Sequence, residues 1–265
     1  MKSSKIILAV VLLAGSNLFS HEGHDHLFQS AYAGKVEKAH NVSAFSSAAV
    51  IKTDLVVSFG GSERINGTLT MTPSTSATRI DQKSGTTMVW DGSHAWVSPA
   101  ASEQKMARFH LLTWPYFFAV PFKLQDPGTH LEDLGLVKMG ENEYSAAKLT
   151  FGENVGDAPD DWYIVYTDPK TSVVQGLAYI VTYGKNDAAA ATSEPHGIRY
   201  HDYVTVAGLA VPTRWTFHDW SEVSGFGEEI GGEAKLSNVE LLASIPEGHF
   251  SKPADCREDV LPTPE

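Results

Sequence analysis

MARFHLLTWPYFFAVPFKLQDPG, residues 106–128, is apolar on nearly every side and carries three prolines, Pro115, Pro121 and Pro127. Between Met106 and Phe122 only Arg108, His110 and Thr113 are clearly polar. A surface helix needs a polar stripe, and this segment has none wide enough. Pro115 lacks the amide that would bond to the Leu111 carbonyl and collides with it, so the reading predicts two short helices, the second starting at Pro115. Such an element is either buried on several sides or faces a cavity. What it packs against has to come from the rest of the chain.

On both sides of the stretch the hydrophobic period is two. In TDLVVSF, Leu55, Val57 and Phe59 share a face; in GTLTMTP, Leu69 and Met71 alternate with Thr68, Thr70 and Thr72. That is the pattern of strands with one dry face. Gly60-Gly61 separates these runs, and Asp91-Gly92 divides MVWDGSHAWV into two hairpin arms. Downstream, EYSAAKLTF, DDWYIVYTDPKTSVVQGLAYIVTY, RYHDYVTVAGLAVPTRWTFHDW and EAKLSNVELLAS read as strands joined at Asp168-Pro169, at Ala207-Gly208 and around 225–232. Residues 186–195, NDAAAATSEP, read as a hairpin loop or strand break. Before the first strand, Leu27, Ala31, Val36, Ala39 and Val42 fit one face of a helix.

The expected fold is therefore mainly β (α+β). It is a large curved antiparallel sheet, a half-open β-barrel of roughly ten to twelve strands, with an N-terminal helix and a helical plug. A sheet of that size twists and must curl or split. Curling leaves a concave apolar face, and the two helical segments are the elements available to cover it.

The chain has 265 residues, 42% hydrophobic and 20% charged, enough for one large domain. Its first twenty residues, MKSSKIILAVVLLAGSNLFS, combine Lys2 and Lys5 with an apolar run too short to span a bilayer. They are expected to be a signal peptide, with cleavage after Ser16 or Ser20. Ser16 stands where a lipidated cysteine would have to be, so a soluble, unlipidated exported protein is expected, periplasmic or secreted. No transmembrane span is expected in the mature chain. The remaining divisions are a His-rich polar tail at 21–30, a single domain at 31–253 and a C-terminal tail at 254–265. Cys256, the sole cysteine, cannot close an intramolecular disulfide, so stability must come from the core. A net charge of -12 repels phosphate backbones and anionic lipid surfaces, arguing against nucleic acid as a partner.

VWDGSHAWV, the YFFAVPFKLQDPG plug, DDWYIVYTDPKT and GLAVPTRWTF, set in an exported antiparallel meander, resemble the LolA/LolB-like superfamily of periplasmic lipoprotein carriers and receptors. The nearer likeness is to an uncharacterised exported bacterial family of that fold. The resemblance spans about residues 31–253. It implies a half-barrel lidded by helices, with a cavity able to take acyl chains. It transfers no site residue, because the carriers' ligand-contacting positions have no residue-by-residue match here.

On this reading a hydrophobic small molecule or lipid is the expected partner and the protein is more a binder than an enzyme, working as a monomer. The residues expected to line or lid its site are Trp90, Trp96, Phe109, Trp114, Phe117, Phe118, Phe122, Trp162 and Trp215. A well-filled core would use the same aromatics. A second reading is periplasmic metal handling: His21, His24 and His26, with Glu22 and Asp25, could hold Cu, Zn or Ni, or could be a solvated tail. A third is a hydrolase using Asp160, Asp161 or His201, although adjacent residues such as His201 and Asp202 point to opposite faces of a strand. Asp160-Asp161 also reads simply as a turn before a strand. Neither a nucleophile elbow nor a phosphate loop is present.

Overall fold

A computed structural model describes residues 30–153 and 155–262. Two short helices, α1 (Ala31–His40) and α2 (Val42–Ser47), lead into β1 (Val50–Phe59), β2 (Ser62–Met71), β3 (Thr78–Gln82), β4 (Thr87–Trp90) and β5 (Ala95–Ser98). The plug helix α3 (Ala107–Ala119) follows, ending in a 3-10 turn at Val120–Phe122. Then come β6 (Thr129–Met139), β7 (Asn142–Phe151), β8 (Tyr163–Thr167), β9 (Val174–Tyr179), α4 (Asp187–Ala191), β10 (His196–Val206), β11 (Leu209–Ser221), β12 (Gly225–Leu242) and β13 (Arg257–Glu258).

The thirteen strands of the described residues form one open antiparallel sheet in the order β13-β5-β4-β3-β2-β1-β12-β11-β10-β9-β8-β7-β6. The Gly60-Gly61, Asp91-Gly92, Asp168-Pro169 and Ala207-Gly208 turns fall between paired strands as their sequences require. Among the described residues the two hairpin series, β1–β5 and β6–β12, are joined along the β1–β12 seam, and the C-terminal β13 adds to the outer edge at β5.

The apolar side chains of one face converge. Leu55 and Val57 of β1, Ile65 and Leu69 of β2, Val165 of β8, Leu177 of β9 and Trp215 and Phe217 of β11 share a cluster with Tyr32 of α1, Phe45 of α2 and Leu111, Trp114 and Phe118 of α3. The helices therefore cover the inner face. The outer face carries a smaller cluster, Met139, Tyr144, Ile164 and Tyr166, with Trp162, Trp220 and Phe226 packed on it. The β11–β12 hairpin folds back to supply the last two. Phe226 lies so close to Gly176 and Gly197 that a Cβ at either would sit 2.7 and 2.6 Å from its ring, which is why those strands carry glycine there.

Several expectations are corrected. First, α3 runs unbroken through Pro115 instead of restarting there. The missing bond is replaced: Thr78 Oγ1 on β3 donates to the Leu111 carbonyl at 2.8 Å, in a buried position. Pro121 orphans the Phe117 carbonyl in the same way, and Tyr200 Oη on β10 donates to it at 2.7 Å. Both defects in the helix are thus repaired by hydroxyls from the sheet, one from each half. Second, the segment expected as a C-terminal tail supplies β13, which pairs with β5, and Asp259, whose carboxylate accepts from the Arg108 amide at 2.9 Å and so caps the start of α3. Third, residues 186–195 contain α4, and glycines 225–232 lie within β12, the turn itself falling at 222–224. The predicted N-terminal helix is two helices, broken where Asn41 takes the left-handed conformation at φ 60°.

Candidate functional site

The two ends of α3 meet the sheet differently. Toward Pro121, Phe118 is buried and Phe122 stacks on Phe45 of α2 with ring centroids 3.9 Å apart, leaving a void of only about 10 Å³. Toward Met106, space opens on both flanks. One flank holds a cavity of about 220 Å³ between α3, the inner ends of β8 and β9, and the β7–β8 connection. The other holds a cleft of about 830 Å³ reaching the β1–β2 and β3–β4 turns. Phe109, Thr113 and Phe117 of α3, with Tyr179 and Val181, border both spaces.

The smaller cavity is walled by aromatic rings. Tyr163 on β8 pairs across the sheet with Tyr179 on β9, so both rings project from the inner face. Tyr116 lies 5.3 Å from Tyr163, Phe151 lies 5.9 Å from Tyr163, and Phe117 lies 5.1 Å from Tyr179, measured between centroids. Arg108 and Asp157 form a two-bond ion pair (2.5 and 2.7 Å) beside it, the guanidinium resting 4.6 Å over the Trp90 ring. Among the described residues Asp161 joins no ion pair. Its Oδ1 accepts from the Thr182 amide at 2.7 Å and the Thr182 hydroxyl at 2.8 Å. Burial pushes its pKa up to about 6 despite those bonds. The Tyr116 hydroxyl is buried with no hydrogen-bond partner, and burial, aided by the charges of Asp126 and Asp161, raises its pKa. In the larger cleft, Trp114 Nε1 donates to His110 Nδ1 at 3.0 Å, and burial lowers the His110 pKa to about 4.

Of the aromatic positions singled out in the sequence, Phe109, Trp114 and Phe117 border the open spaces. Trp90 faces α3 under Arg108. Phe118 and Phe122 close the packed end, and Trp215 is core, its Nε1 donating to the Pro212 carbonyl at 3.1 Å. Trp162 lies on the outer face, 5.8 Å from Trp220. Trp96 bonds the Asp91 carboxylate at 2.7 Å, with Lys252 4.1 Å over its ring, and borders neither open space. Tyr116, Phe151, Tyr163, Tyr179 and Asp161 were not among the expected lining residues. The signal for Asp161 was its parity: it stands two places before Tyr163, on the same side of the run.

His21, His24 and His26 lie outside the described residues. Among the described residues no group of three His, Cys, Asp or Glu side chains could hold a metal ion. His201 bonds Thr216 Oγ1 at 2.8 Å, within the chain that continues to His218, whereas Asp161 faces the cavity beside α3; the structure does not bring them together. No helix among the described residues is long and apolar enough to cross a membrane.

The fold is that of the LolA superfamily. The chain superposes on a LolA superfamily protein from Nitrosomonas europaea with a TM-score of 0.53 at 11% identity, covering 84% of this chain and 99% of that one. Weaker likenesses are to a DUF1329 family protein from Desulfovibrio piger (TM-score 0.44, 8% identity, 84% and 98% covered) and to an outer membrane lipoprotein-sorting protein domain from Vibrio parahaemolyticus (0.48, 11%, 83% and 97%). In sequence, residues 100–200 match the profile of a family of unknown function, DUF6503. None of the curated proteins matches the chain.

Proposed function

We propose that this chain is an exported, soluble binding protein that holds a hydrophobic molecule, an acyl chain or lipid, between the open end of α3 and the inner face of the sheet. The observation that carries the reading is the pair of spaces flanking Phe109, Thr113 and Phe117, beside an equally aromatic end that is packed solid. Burial of the guest's apolar surface supplies the affinity, at about 25 cal/mol per Å² removed from water before the losses of association. The LolA-like architecture supports the same reading, since it sets helices over a curled sheet without closing the barrel.

Native mass spectrometry of gently purified protein should reveal a co-purified lipid, and an uncharged lipophilic dye such as Nile red should bind and brighten. Thr113 borders both spaces, so Thr113→Trp should weaken dye binding at least about tenfold with the circular dichroism spectrum unchanged. Equal dye affinity in the variant, together with a bare native mass, would remove the basis of the proposal.

A further inference from the structure

The smaller cavity has a polar pole that a purely apolar guest would leave unmet. Asp161 presents its second carboxylate oxygen with no bonded partner among the described residues, and the Tyr116 hydroxyl is buried and orphaned. Both residues line the same space, whose remaining surface is largely aromatic and aliphatic. A buried hydroxyl without a partner is uncommon in folded proteins, and beside a carboxylate with an unbonded oxygen it marks a place where something else completes the bonding. Resting on the binding-protein reading above, we infer that the guest of this cavity ends in a hydrogen-bond-donating head, a protonated amine or a hydroxyl, seated against the Asp161 carboxylate and the Tyr116 hydroxyl. The body of the guest lies between Phe109, Phe117 and Tyr179.

The Asp161 carboxylate itself sets the preference for that head. Arg108 is matched by Asp157 through both carboxylate oxygens, whereas Lys185, which donates to the neutral Ser193 Oγ at 2.8 Å, keeps a positive charge that acts on Asp161. Asp160 adjoins Asp161 and adds negative potential, while Tyr163 and Tyr183 are neutral phenols held well above neutral pH by burial. A cationic head meets a carboxylate and the faces of Tyr116 and Tyr163. A carboxylate or phosphate head meets like charge. As pH falls through about 6, Asp161 takes a proton and the preference for a cation fades.

The test compares decylamine, decanol and decanoate by dye displacement at pH 7.5, below their aggregation limits. The expected order of affinity is amine, then alcohol, then carboxylate, with the amine's advantage shrinking at pH 5. Asp161→Asn keeps an acceptor oxygen for the Thr182 amide; it should weaken decylamine about tenfold and let decanoate bind. Tyr116→Phe removes an unpartnered hydroxyl and should weaken amine and alcohol alike, by about threefold, leaving the fold intact. Decanoate binding as tightly as decylamine, or an Asp161→Asn protein with the native order, would overturn the head-group inference and leave the apolar site standing. Failure of all three probes and of Nile red would end both.

Discussion

The two ends of α3 are built from the same residue types and do opposite things. At the Pro121 end, Phe118, Phe122 and Phe45 fill the space against β11; toward the Met106 end, Phe109 and Trp114 border open volume. The difference comes from what faces them. The packed end is met by α1 and α2, fixed by Tyr32 Oη on the Val165 carbonyl and by His40, whose Nε2 accepts from the Val174 amide at 3.0 Å. The open end is met by strand ends, turns and the short β13 segment. Aromatic density therefore marks where a plug lies, and the second layer decides whether it is core or wall.

Phe118→Ala against Phe109→Ala is the strongest way to break the comparison. Phe118→Ala removes a buried ring from a packed site and should destabilise by about 3–5 kcal/mol in urea titrations. Phe109→Ala enlarges an existing space and should lose about 1 kcal/mol or less while weakening dye binding. Equal losses would mean both ends are core.

Each end also carries a neutral histidine, buried His40 and half-buried His110, with pKa lowered to about 4 chiefly by burial. Above pH 6.5 neither is charged in either state. Below it the unfolded chain takes protons that the folded chain refuses, so stability falls as pH drops from about 6.5 to about 4, by up to about 3 kcal/mol for buried His40 and less for half-buried His110. Nuclear magnetic resonance titration should find both rings neutral at pH 5.5. A His110 that titrates near 6.5 beside an untitrated His40 would sharpen the contrast, showing the open end to be wetter than the packed one.

The hydroxyl repairs divide the same way. Tyr200→Phe strands the Phe117 carbonyl at the packed end, and Thr78→Val strands the Leu111 carbonyl nearer the middle; each should cost about 1–3 kcal/mol. Near-additive losses in the double variant would show that the two halves of the sheet hold α3 independently.

One modest effect expected is a gain. The raised pKa of Asp161 means that its charge opposes folding: that contribution is favourable below pH 4 and is lost as pH rises through about 6. Asp161→Asn should therefore stabilise the protein at pH 7.5 by about 1–2 kcal/mol, with the gain vanishing near pH 4. No gain would mean the carboxylate is better solvated than its burial implies.

The sheet was legible because strand alternation and turn chemistry are local: Leu69 and Met71 against their threonines, or Asp91-Gly92 between its arms, need no knowledge of distant residues. The lining was not. In DDWYIVY both parities are apolar, so nothing local says that Tyr163 and Val165 face α3 while Trp162, Ile164 and Tyr166 face outward. That choice is made by the fold-back of the β11–β12 hairpin, which gives the second parity an apolar cover of its own. The continuity of α3 was hidden for a similar reason. The residues that compensate Pro115 and Pro121 are 37 positions before and 79 positions after them, and neither a threonine nor a tyrosine announces such a role.

Phe226, pressed on Gly176 and Gly197 from outside, has a consequence for how guests of different bulk are received. Flattening β8–β10 to make room would strip that ring from its seat, so Tyr163 and Tyr179 belong to a rigid jaw. Facing it, the first half of α3 is held as well, by Ala107 and Leu111 packed in the core, the Asp259 cap, the Arg108 pair and the Thr78 hydroxyl. Accommodation of a thicker molecule thereby falls to the partly exposed Phe109 and Thr113 side chains rather than to a sheet that spreads.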